Sequence, residues 1–230
     1  MTQSLSPLEI IESSDSIIHD QHFVYASDEH GSDYVDCDRL YRHPEMVRAL
    51  LTPMLSPHVA NIVPLPGYEV IAAPATGGVY LVGIAGLLAH TTSQPVKTVW
   101  ADKIGNKKFA FERAGFAECL DGANVLIVED VLTTGSSVAK VARLVESAGG
   151  TVVAVRALVN RGQVTAQDMQ VPDLYSRVCV DYPAVPADKC QLCIEEVPIV
   201  TNLGHPGSFL NERPDYPTKL YLGLRLRGVR

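Results

Sequence analysis

The feature that most constrains the fold is an order of strand, loop, helix and strand that occurs twice along the chain. The first copy begins with the apolar run Val70 to Ala73 and passes through a loop of proline, threonine and glycine, Pro74 to Gly78. A long apolar segment from Val79 to about His90 and a β-branched run from Val96 to Trp100 follow. Since parallel strands need a crossover connection, usually a helix, this order predicts two parallel strands joined through a helix.

The second copy has the clearer helical spacing. Its strand ends at Val128, its loop spans Asp130 to Ser136, and its helix runs from Ser137 to about Ala148. Two glycines then stop the helix, and the next strand extends from Thr151 to Val159. Together the copies predict an α/β fold, with a central parallel sheet and helices on both faces.

Both glycine-containing loops, Pro74 to Gly78 and Thr133 to Ser137, follow predicted strands directly. In sheets of this kind ligands bind at the carboxyl ends of the strands. We therefore expect the two loops to form two walls of one site.

Two carboxylates, Glu129 and Asp130, stand immediately before the second loop. The loop is not a P-loop, because no Gly-Lys-Ser/Thr follows, and it lacks the GxGxxG of a dinucleotide site. Backbone N–H groups of Thr133 to Ser137, with the positive end of the next helix, can still hold a terminal phosphate. The carboxylates then suit a sugar diol and a magnesium ion that neutralises further phosphates. Phosphoribosyl pyrophosphate has all of these parts. The alternative is that the two acids only end a strand and cap a turn.

A cationic segment, Ala101 to Phe116, lies between the two copies. It has a turn signal at Gly105-Asn106 and carries Lys103, Lys107, Lys108 and Arg113. The pattern indicates a hairpin or mobile flap beside the site, and the alternative is a solvated charged loop.

The two ends of the chain have a different character. Residues 22–51 are typical of a hairpin followed by a helix that begins near Pro44. The part from Pro172 to Arg230 is richer in proline and favours a lid or subdomain of extended segments. We expect a single domain, 1–230, with a hood formed from about 20–42 and 172–210.

The five cysteines are scattered rather than arranged as a disulfide framework. Cys190 and Cys193 form a CxxC pair, which with Cys179 and His205 could supply four zinc ligands. The spacing is irregular and a second CxxC is missing, so the favoured interpretation is a turn with free thiols, without a protein-ligated metal.

Composition excludes some classes of function. The formal net charge is −7 and no basic block stands out, which disfavours a nucleic-acid partner. The N-terminus lacks the pattern of a signal peptide, and no apolar run reaches the ~20 residues of a membrane helix. These features predict a cytoplasmic protein with no membrane partner.

The motif VLIVEDVLTTGSS, residues 125–137, resembles the binding motif of the type I phosphoribosyltransferases. Further segments resemble the orotate branch of that family: the N-terminal hairpin, the PATGG loop, ADK with its flap, Asn160-Arg161-Gly162, and CQLC…VPIV…HPGS. The resemblance covers about His22 to Ser208. This chain departs from the branch in Asp28, which follows Ser27 where glycine is frequent, in Asn160 for a frequent aspartate, and in Glu196 for a common glycine.

The resemblance implies transfer of the phosphoribosyl group from phosphoribosyl pyrophosphate to orotate, by a homodimer that binds Mg²⁺ mainly through the pyrophosphate substrate. It implies that Lys103, Glu129 and Asp130 are catalytic. The implied phosphoribosyl pyrophosphate contacts are Glu129, Asp130, Thr133, Thr134, Gly135, Ser136, Ser137, Ala75, Thr76, Gly77, Gly78, Lys103 and Lys107. The implied base contacts are Arg161, Ser27, Tyr34 and Thr133.

Two alternatives remain open at this level. A phosphoribosyltransferase for another base would share the phosphoribosyl residues and differ in the hairpin and at Arg161. A regulator that senses phosphoribosyl pyrophosphate without turning it over would use the same loops.

Overall fold

The computed structural model describes residues 5–55, 65–92, 95–105 and 108–223. The chain divides into two compact units. The sheet unit comprises Met1–Ser16 and Cys37–Asp181, and the hairpin unit comprises Ile17–Asp36 and Tyr182–Arg230.

The elements are short in the hairpin unit and longer in the sheet unit. The helices are α1 (Pro7–Ser13), α2 (Cys37–Tyr41), α3 (Pro44–Leu55), α4 (Gly77–Thr92), α5 (Ser136–Ser147), α6 (Ala166–Met169), α7 (Gln191–Ile194) and α8 (Gly207–Glu212). The strands are β1 (Ile17–Ile18), β2 (Phe23–Val24), β3 (His30–Gly31), β4 (Tyr34–Val35), β5 (Val70–Pro74), β6 (Lys97–Ile104), β7 (Lys108–Ala110), β8 (Asn124–Leu132), β9 (Thr151–Asn160), β10 (Leu174–Cys179), β11 (Ile199–Val200) and β12 (Thr218–Lys219).

The sheet unit contains a six-stranded sheet in the order β10-β9-β8-β5-β6-β7. The strands from β10 to β6 are mutually parallel, and only β7 at the edge runs antiparallel to its neighbour. The central strand β5 is fully buried, as expected for a parallel strand covered on both faces. The predicted parallel sheet is confirmed.

Helices cover both faces of this sheet, as predicted. On one face, alternate strand residues such as Ala72 and Ile127 pack in a buried cluster with Val138 and Val141 of α5. The intervening residue Ile71 is also fully buried and points to the opposite face. There α4 packs so closely that a Cβ added at Gly86 would lie 2.5 Å from Thr98, the residue paired with Ile71. In the part of the chain described, none of the helices is long and apolar enough to cross a membrane.

One strand boundary and the position of one strand differ from the sequence expectation. β8 continues to Leu132, so that Glu129 and Asp130 lie inside a strand rather than at its end. The strand persists because β9 continues to pair with it as far as the Leu132–Asn160 position. β10 joins the central sheet beside β9, although the sequence assigned this segment to the hood. As an only partly buried edge strand with polar residues, it lacks the apolar run that identifies a central strand.

The hairpin unit is built from paired short strands. β2 pairs with β3 and β1 with β4, both antiparallel, which confirms the predicted N-terminal hairpin. This hairpin is joined to the C-terminal segment by bridges from His22 to Ile199 and from His30 to Val185. β11 and β12 form a separate parallel pair.

Candidate active site

The candidate site lies in the sheet unit, where the direction of winding reverses. From β5 the chain passes to β6 on one side of β5, and later to β8 on the other side. In open α/β sheets the crevice at such a switch point, at the carboxyl ends of the strands, is where ligands bind. The loops after β5 and β8 therefore flank the crevice that the sequence predicted.

Asp130 is held at this crevice by a tyrosine that the sequence analysis did not single out. The Tyr41 hydroxyl lies 2.9 Å from Asp130 Oδ2 and 3.1 Å from the carbonyl oxygen of Gly77. Burial, and then the charge of Asp130, raises the pKa of Tyr41, so the phenol remains protonated and donates. The Tyr41 ring packs on Tyr80 of α4 with centroids 4.7 Å apart. Tyr41 thus connects α2, α4 and β8 at the site.

The signal for Tyr41 in the sequence is weak. It falls in the DRLYRHP stretch that resembles the family hairpin, but it ends a five-residue helix in the sheet unit. Its distance from Asp130 is 89 positions along the chain, which no local pattern could reveal.

Glu129 is a buried carboxyl group, with 7% of its surface exposed. Burial, followed by the charge of Asp130, raises its pKa well above the usual value, while the positive charge of Lys103 acts in the opposite direction. Glu129 Oε1 accepts a bond from the backbone N–H of Asp130 at 3.2 Å. Two adjacent carboxyl groups, Glu129 and Asp130, form a set of hard oxygen donors that suits a divalent cation such as Mg²⁺.

The loop after β8 leads into the exposed amino end of α5. Gly135 is the N-cap residue and has φ 71°, a left-handed conformation that glycine adopts without a Cβ penalty. Because glycine has no side chain to bond the first-turn N–H groups, these groups remain available to an anion. Thr134 Oγ1 accepts a weak bond from Ser136 N at 3.4 Å, and Thr133 and Ser137 are partly buried.

The loop after β5 provides a second helix amino end. The Ala75 N–H donates to the Ala101 carbonyl at 2.9 Å, the Ala75–Thr76 peptide bond is cis, and α4 begins at Gly77. A Cβ added at Gly77 would lie 2.0 Å from Asp130 Oδ2, so only glycine permits this approach of loop and carboxylate. The amino ends of α4 and α5 thus stand on either side of the acidic pair.

Arg161 follows β9 directly and is 6% exposed. Its backbone N–H donates to Leu132 O at 2.8 Å, and Gly162 N–H donates to the same oxygen at 3.2 Å. These bonds fix Arg161 beside the start of the 133–137 loop. Asn160 accepts a bond from Val164 N at 3.0 Å and donates one to Val164 O at 2.8 Å. The side-chain amide of Asn160 therefore closes the 160–164 loop with one donated and one accepted bond. An aspartate, which is frequent at this position in the resembling branch, could only accept.

The predicted flap is a hairpin of β6 and β7, in which Lys103 pairs with Phe109. Lys103 is exposed and close enough to Glu129 to affect its pKa. Arg113 has a structural contact instead: its Nε lies 3.4 Å from Asp102 Oδ2 and its guanidinium covers the Trp100 ring at 4.7 Å. Lys107 lies outside the described residues.

The remaining predicted residues are in other places. Ser27 and Tyr34 belong to the hairpin unit, where the Ser27 hydroxyl donates to Glu29 at 3.0 Å and Tyr34 packs on Phe23. The set of Cys179 and His205 with the CxxC pair is not assembled: Cys179 is exposed and ends β10 in the sheet unit. The cysteine pair instead lies beside two histidines of the N-terminal hairpin.

The chain matches a family model described as the phosphoribosyl transferase domain over residues 60–178. The curated orotate phosphoribosyltransferase of Chlorobium phaeobacteroides strain DSM 266 is 30% identical over 210 residues, 90% of this chain and 97% of the relative. The protein of that name from strain BS1 is 31% identical over 204 residues, 87% of this chain and 94% of the relative.

Solved structures agree with the fold. Orotate phosphoribosyltransferase from Aeropyrum pernix has a TM-score of 0.56 and 23% identity, over 74% of this chain and 92% of that one. An adenine phosphoribosyltransferase from Thermoanaerobacter pseudethanolicus has a TM-score of 0.55 and 21% identity, over 75% of this chain and 99% of that one. At such identities these structures show a shared fold and do not distinguish the base.

Proposed function

This chain belongs to the phosphoribosyltransferase family, and we propose that it transfers the 5-phosphoribosyl group from phosphoribosyl pyrophosphate to orotate. The products are orotidine 5′-monophosphate and pyrophosphate. The relatives that match most of the chain carry the name of this enzyme rather than that of a regulator.

The observation that carries the choice of base is the extent of the sequence match. The family model spans residues 60–178, whereas the Chlorobium relative matches 210 of the 230 residues. The match must therefore include long segments on both sides of the shared phosphoribosyl core. Those segments contain the N-terminal hairpin and the CQLC region. An adenine phosphoribosyltransferase could have the same fold as this chain without sharing these two segments.

The two helix amino ends suggest where the phosphates bind. The N–H groups and hydroxyls of 133–137 would hold the 5′-phosphate, and the N–H groups of 75–78 would hold the pyrophosphate. Glu129 and Asp130, between these loops, would accept hydrogen bonds from the ribose hydroxyls. Tyr41 would orient Asp130 for that contact.

The reaction displaces pyrophosphate from the anomeric carbon by a ring nitrogen of the base. Positive charge develops on the ribose and negative charge on the leaving group, so charge placement is the main task of the protein. The negative field of Glu129 and Asp130 would favour the cationic ring. Lys103 and Lys107 would close over the pyrophosphate. Bound Mg²⁺ would neutralise phosphate charge, and the carboxyl oxygens of the acidic pair fit such an ion.

Arg161 is the residue proposed to recognise the orotate carboxylate. A carboxylated base brings negative charge toward Glu129, Asp130 and several phosphates, and needs a local cation. Arg161 is fixed beside Leu132 at the same end of the sheet, and a guanidinium can pair with a carboxylate in bidentate form. On the family resemblance, we propose that Ser27, Tyr34 and Thr133 also contact the base.

Two further features are proposed on the family resemblance. We propose a homodimer, for which the 73% exposed Leu87 on α4 offers apolar surface. We also propose a cytoplasmic location, consistent with five cysteines that are all free.

The test is pyrophosphate release with orotate, uracil and adenine as acceptors, on the parent and on Arg161→Ala. The variant should have a lower kcat/KM for orotate, equivalent to a loss of about 2–4 kcal/mol of transition-state stabilisation, because a desolvated carboxylate is left without its partner. Uracil lacks that carboxylate, so it should be a poor substrate whose rate hardly changes. Arg143→Ala, at an exposed position on α5, is the matched control and should behave as the parent. If uracil or adenine outperforms orotate, the base assignment is wrong and only the phosphoribosyltransferase activity remains.

A further inference from the structure

Four metal-ligating side chains meet in the interior of the hairpin unit. His22, His30, Cys190 and Cys193 are all buried, and one ligand atom from each lies within 4.8 Å of the others. His22 Nε2 and His30 Nδ1 are 2.9 Å apart. Cys193 Sγ lies 3.3 Å from His30 Nδ1 and 3.6 Å from His22 Nε2, and Cys190 Sγ lies 3.8 Å from His22 Nε2.

These separations are close to the edges of a tetrahedron around one zinc ion. With Zn–S near 2.3 Å and Zn–N near 2.0–2.1 Å, tetrahedral geometry requires edges of about 3.3 Å for N–N and about 3.5 Å for N–S. The four N–N and N–S distances given above deviate from these edges by a few tenths of an ångström, on both sides, and the remaining pairs of ligand atoms lie within 4.8 Å. A two-iron cluster would need the histidine pair well separated from the cysteine pair, whereas here His22 Nε2 contacts both sulfurs.

The backbone presents all four ligands to one point. The CxxC turn is closed by bonds from Cys193 N–H and Ile194 N–H to the Cys190 carbonyl, both 3.1 Å. The two histidines come from the N-terminal hairpin, whose bridges to Ile199 and Val185 attach it to the cysteine-bearing segment. The ligands are thus positioned by the backbone of two distant segments, 163 residues apart for the His30–Cys193 pair.

His22 also has the outer contact typical of a metal-bound imidazole. Its Nδ1 lies 2.7 Å from the Val197 carbonyl, an oxygen that can only accept. Nδ1 therefore carries the proton, and the lone pair of Nε2 points to the cluster. Tyr216 contributes further support, since its hydroxyl donates to Leu192 O and Val197 O at 3.3 Å, next to the cysteine turn.

The surroundings suit an ion that is neutralised by its ligands. Cys190 and Cys193 pack with Val24, Ile199 and Phe209 in a buried apolar cluster. Two thiolates and one divalent ion sum to zero net charge, so the complex avoids the cost of burying an isolated charge. Four protein ligands leave no open position, which is the arrangement of structural rather than catalytic zinc sites.

We propose that His22, His30, Cys190 and Cys193 bind one structural Zn²⁺, which fastens the N-terminal hairpin to the C-terminal segment. The CxxC pair supplies two sulfur ligands and the histidines supply two nitrogen ligands, a set that zinc accepts. Bound zinc therefore explains why these four side chains are buried against one another. Ser27 lies on the same hairpin, between the two histidines. The proposal does not depend on the identity of the base or on the enzymatic reaction.

The first experiment measures metal content in protein purified without chelator and without an affinity tag. Mass spectrometry of the metals should find about one zinc per chain, and Cys190→Ser with Cys193→Ser should lower this at least tenfold. The matched controls are Cys179→Ser and His205→Asn, which remove the ligands suggested by sequence alone and should retain the zinc. Iron in place of zinc, or equal zinc in the double variant and the parent, would overturn the proposal.

A second measurement uses the parent chain, in case the double variant does not fold. Zinc is removed by an organomercurial under reducing conditions, thiols are restored, and Co²⁺ is added. A tetrahedral S₂N₂ site should give intense visible d–d bands and a thiolate-to-metal charge-transfer band, and Zn²⁺ should abolish both. If the restored, folded protein gives only the weak spectrum of octahedral Co²⁺ and the purified protein holds no zinc, the four residues are not a metal site.

Discussion

Glu129 is a residue whose burial we expect to disfavour the unliganded fold and to favour a bound ligand. Its carboxyl group is buried beside Asp130, and the charge of Lys103 opposes the resulting rise in its pKa. Burying a carboxylate costs free energy unless a partner compensates it. A ribose diol and a bound cation would supply that compensation, so we expect ligand binding and stability to respond in opposite directions when Glu129 is changed.

Glu129→Gln should increase the free energy of unfolding near pH 7.5 by about 1–3 kcal/mol, the cost of one uncompensated buried polar group. Burial raises the pKa of Glu129 in the folded state above its unfolded value. Between these two pKa values the folded protein holds a proton that the unfolded chain releases, so stability falls as the pH rises. The advantage of the variant should therefore disappear below about pH 4, where both states are protonated.

Urea denaturation across this pH range measures the effect, and calorimetry with phosphoribosyl pyrophosphate should show weaker binding by the same variant. A variant that is less stable than the parent at pH 7.5, or a difference that does not depend on pH, would mean that Glu129 is already compensated in the free protein.

Some individual residues could be predicted from the sequence and others could not. Glu129 and Asp130 were identifiable because they adjoin a phosphate-loop pattern. Asp28 and Glu196 stand at positions where the orotate branch, which this chain resembles, often has glycine. Their φ angles are 64° and 50°. The structure explains the glycine preference there, because this left-handed conformation is costly for other residues. Tyr41 could not be predicted, since its role depends on a contact made only in the folded state.

At the scale of elements, the amino end of α5 and the carboxyl end of β9 restrain each other. A Cβ added at Gly162 would lie 1.6 Å from the Thr133 carbonyl oxygen. The backbone of the 133–137 loop would have to move to accept any side chain there. The spacing of Arg161 from this loop therefore depends on the glycine that follows it.

Gly162→Ala should destabilise the fold by about 1–3 kcal/mol, the range for overpacking, and should weaken phosphoribosyl pyrophosphate binding as well. Gly83→Ala is the matched control, because Gly83 is on α4 with nothing within 4 Å of its added Cβ. That change should be neutral or stabilise by up to ~1 kcal/mol through helix propensity. Urea denaturation of the two variants compares them directly. Equal effects would show that the loop yields freely at Thr133.

The β6–β7 hairpin gives a second test at this scale. Lys103→Ala should lower kcat by roughly 100-fold with a smaller change in KM, as expected for one charge that acts on the leaving group. Lys97→Ala is the control: Lys97 begins the same strand, is exposed, and lies at the amino end of the sheet. Steady-state kinetics with both substrates separates the two parameters. An increase in KM alone would make Lys103 a ground-state binding residue.

Periodicity predicted the elements of the central sheet and failed at its margins. The apolar runs of β5, β8 and β9, and the helical spacing of α5, lie within a residue or two of the predicted positions except at the end of β8. That end was misplaced because Glu129 and Asp130 are poor strand formers, and pairing with β9 overrides this preference. β10 was missed for the related reason that an edge strand does not require a continuous apolar pattern.

At the scale of the whole molecule, the two units are stabilised by different means. The sheet unit has long parallel strands between layers of helices, whereas each strand of the hairpin unit is two residues long. Among the described residues of the hairpin unit, two apolar clusters contain five and four buried residues. Units with so little core generally need a disulfide, a metal or a partner, and all five cysteines here are free. The sequence alone could not predict the ligand set, because folding brings His22 and His30 to the cysteines from the opposite end of the chain.

The proposed zinc should therefore stabilise one unit much more than the other. Hydrogen exchange of the metal-depleted, reduced protein should show a loss of amide protection in the hairpin unit, for example at Val185 and Val200, whose N–H groups bond to His30 and His22. Amides of β5 and β8, deep in the central sheet, should keep their protection because their pairing is independent of the metal. Added Zn²⁺ should restore the exchange rates of the first group, and Mg²⁺ should not, because hard cations do not favour thiolate and imidazole ligands. A uniform loss of protection across both units would mean that the metal controls global unfolding instead. Protection unchanged by metal removal would mean that apolar packing alone holds the hairpin to the C-terminal segment.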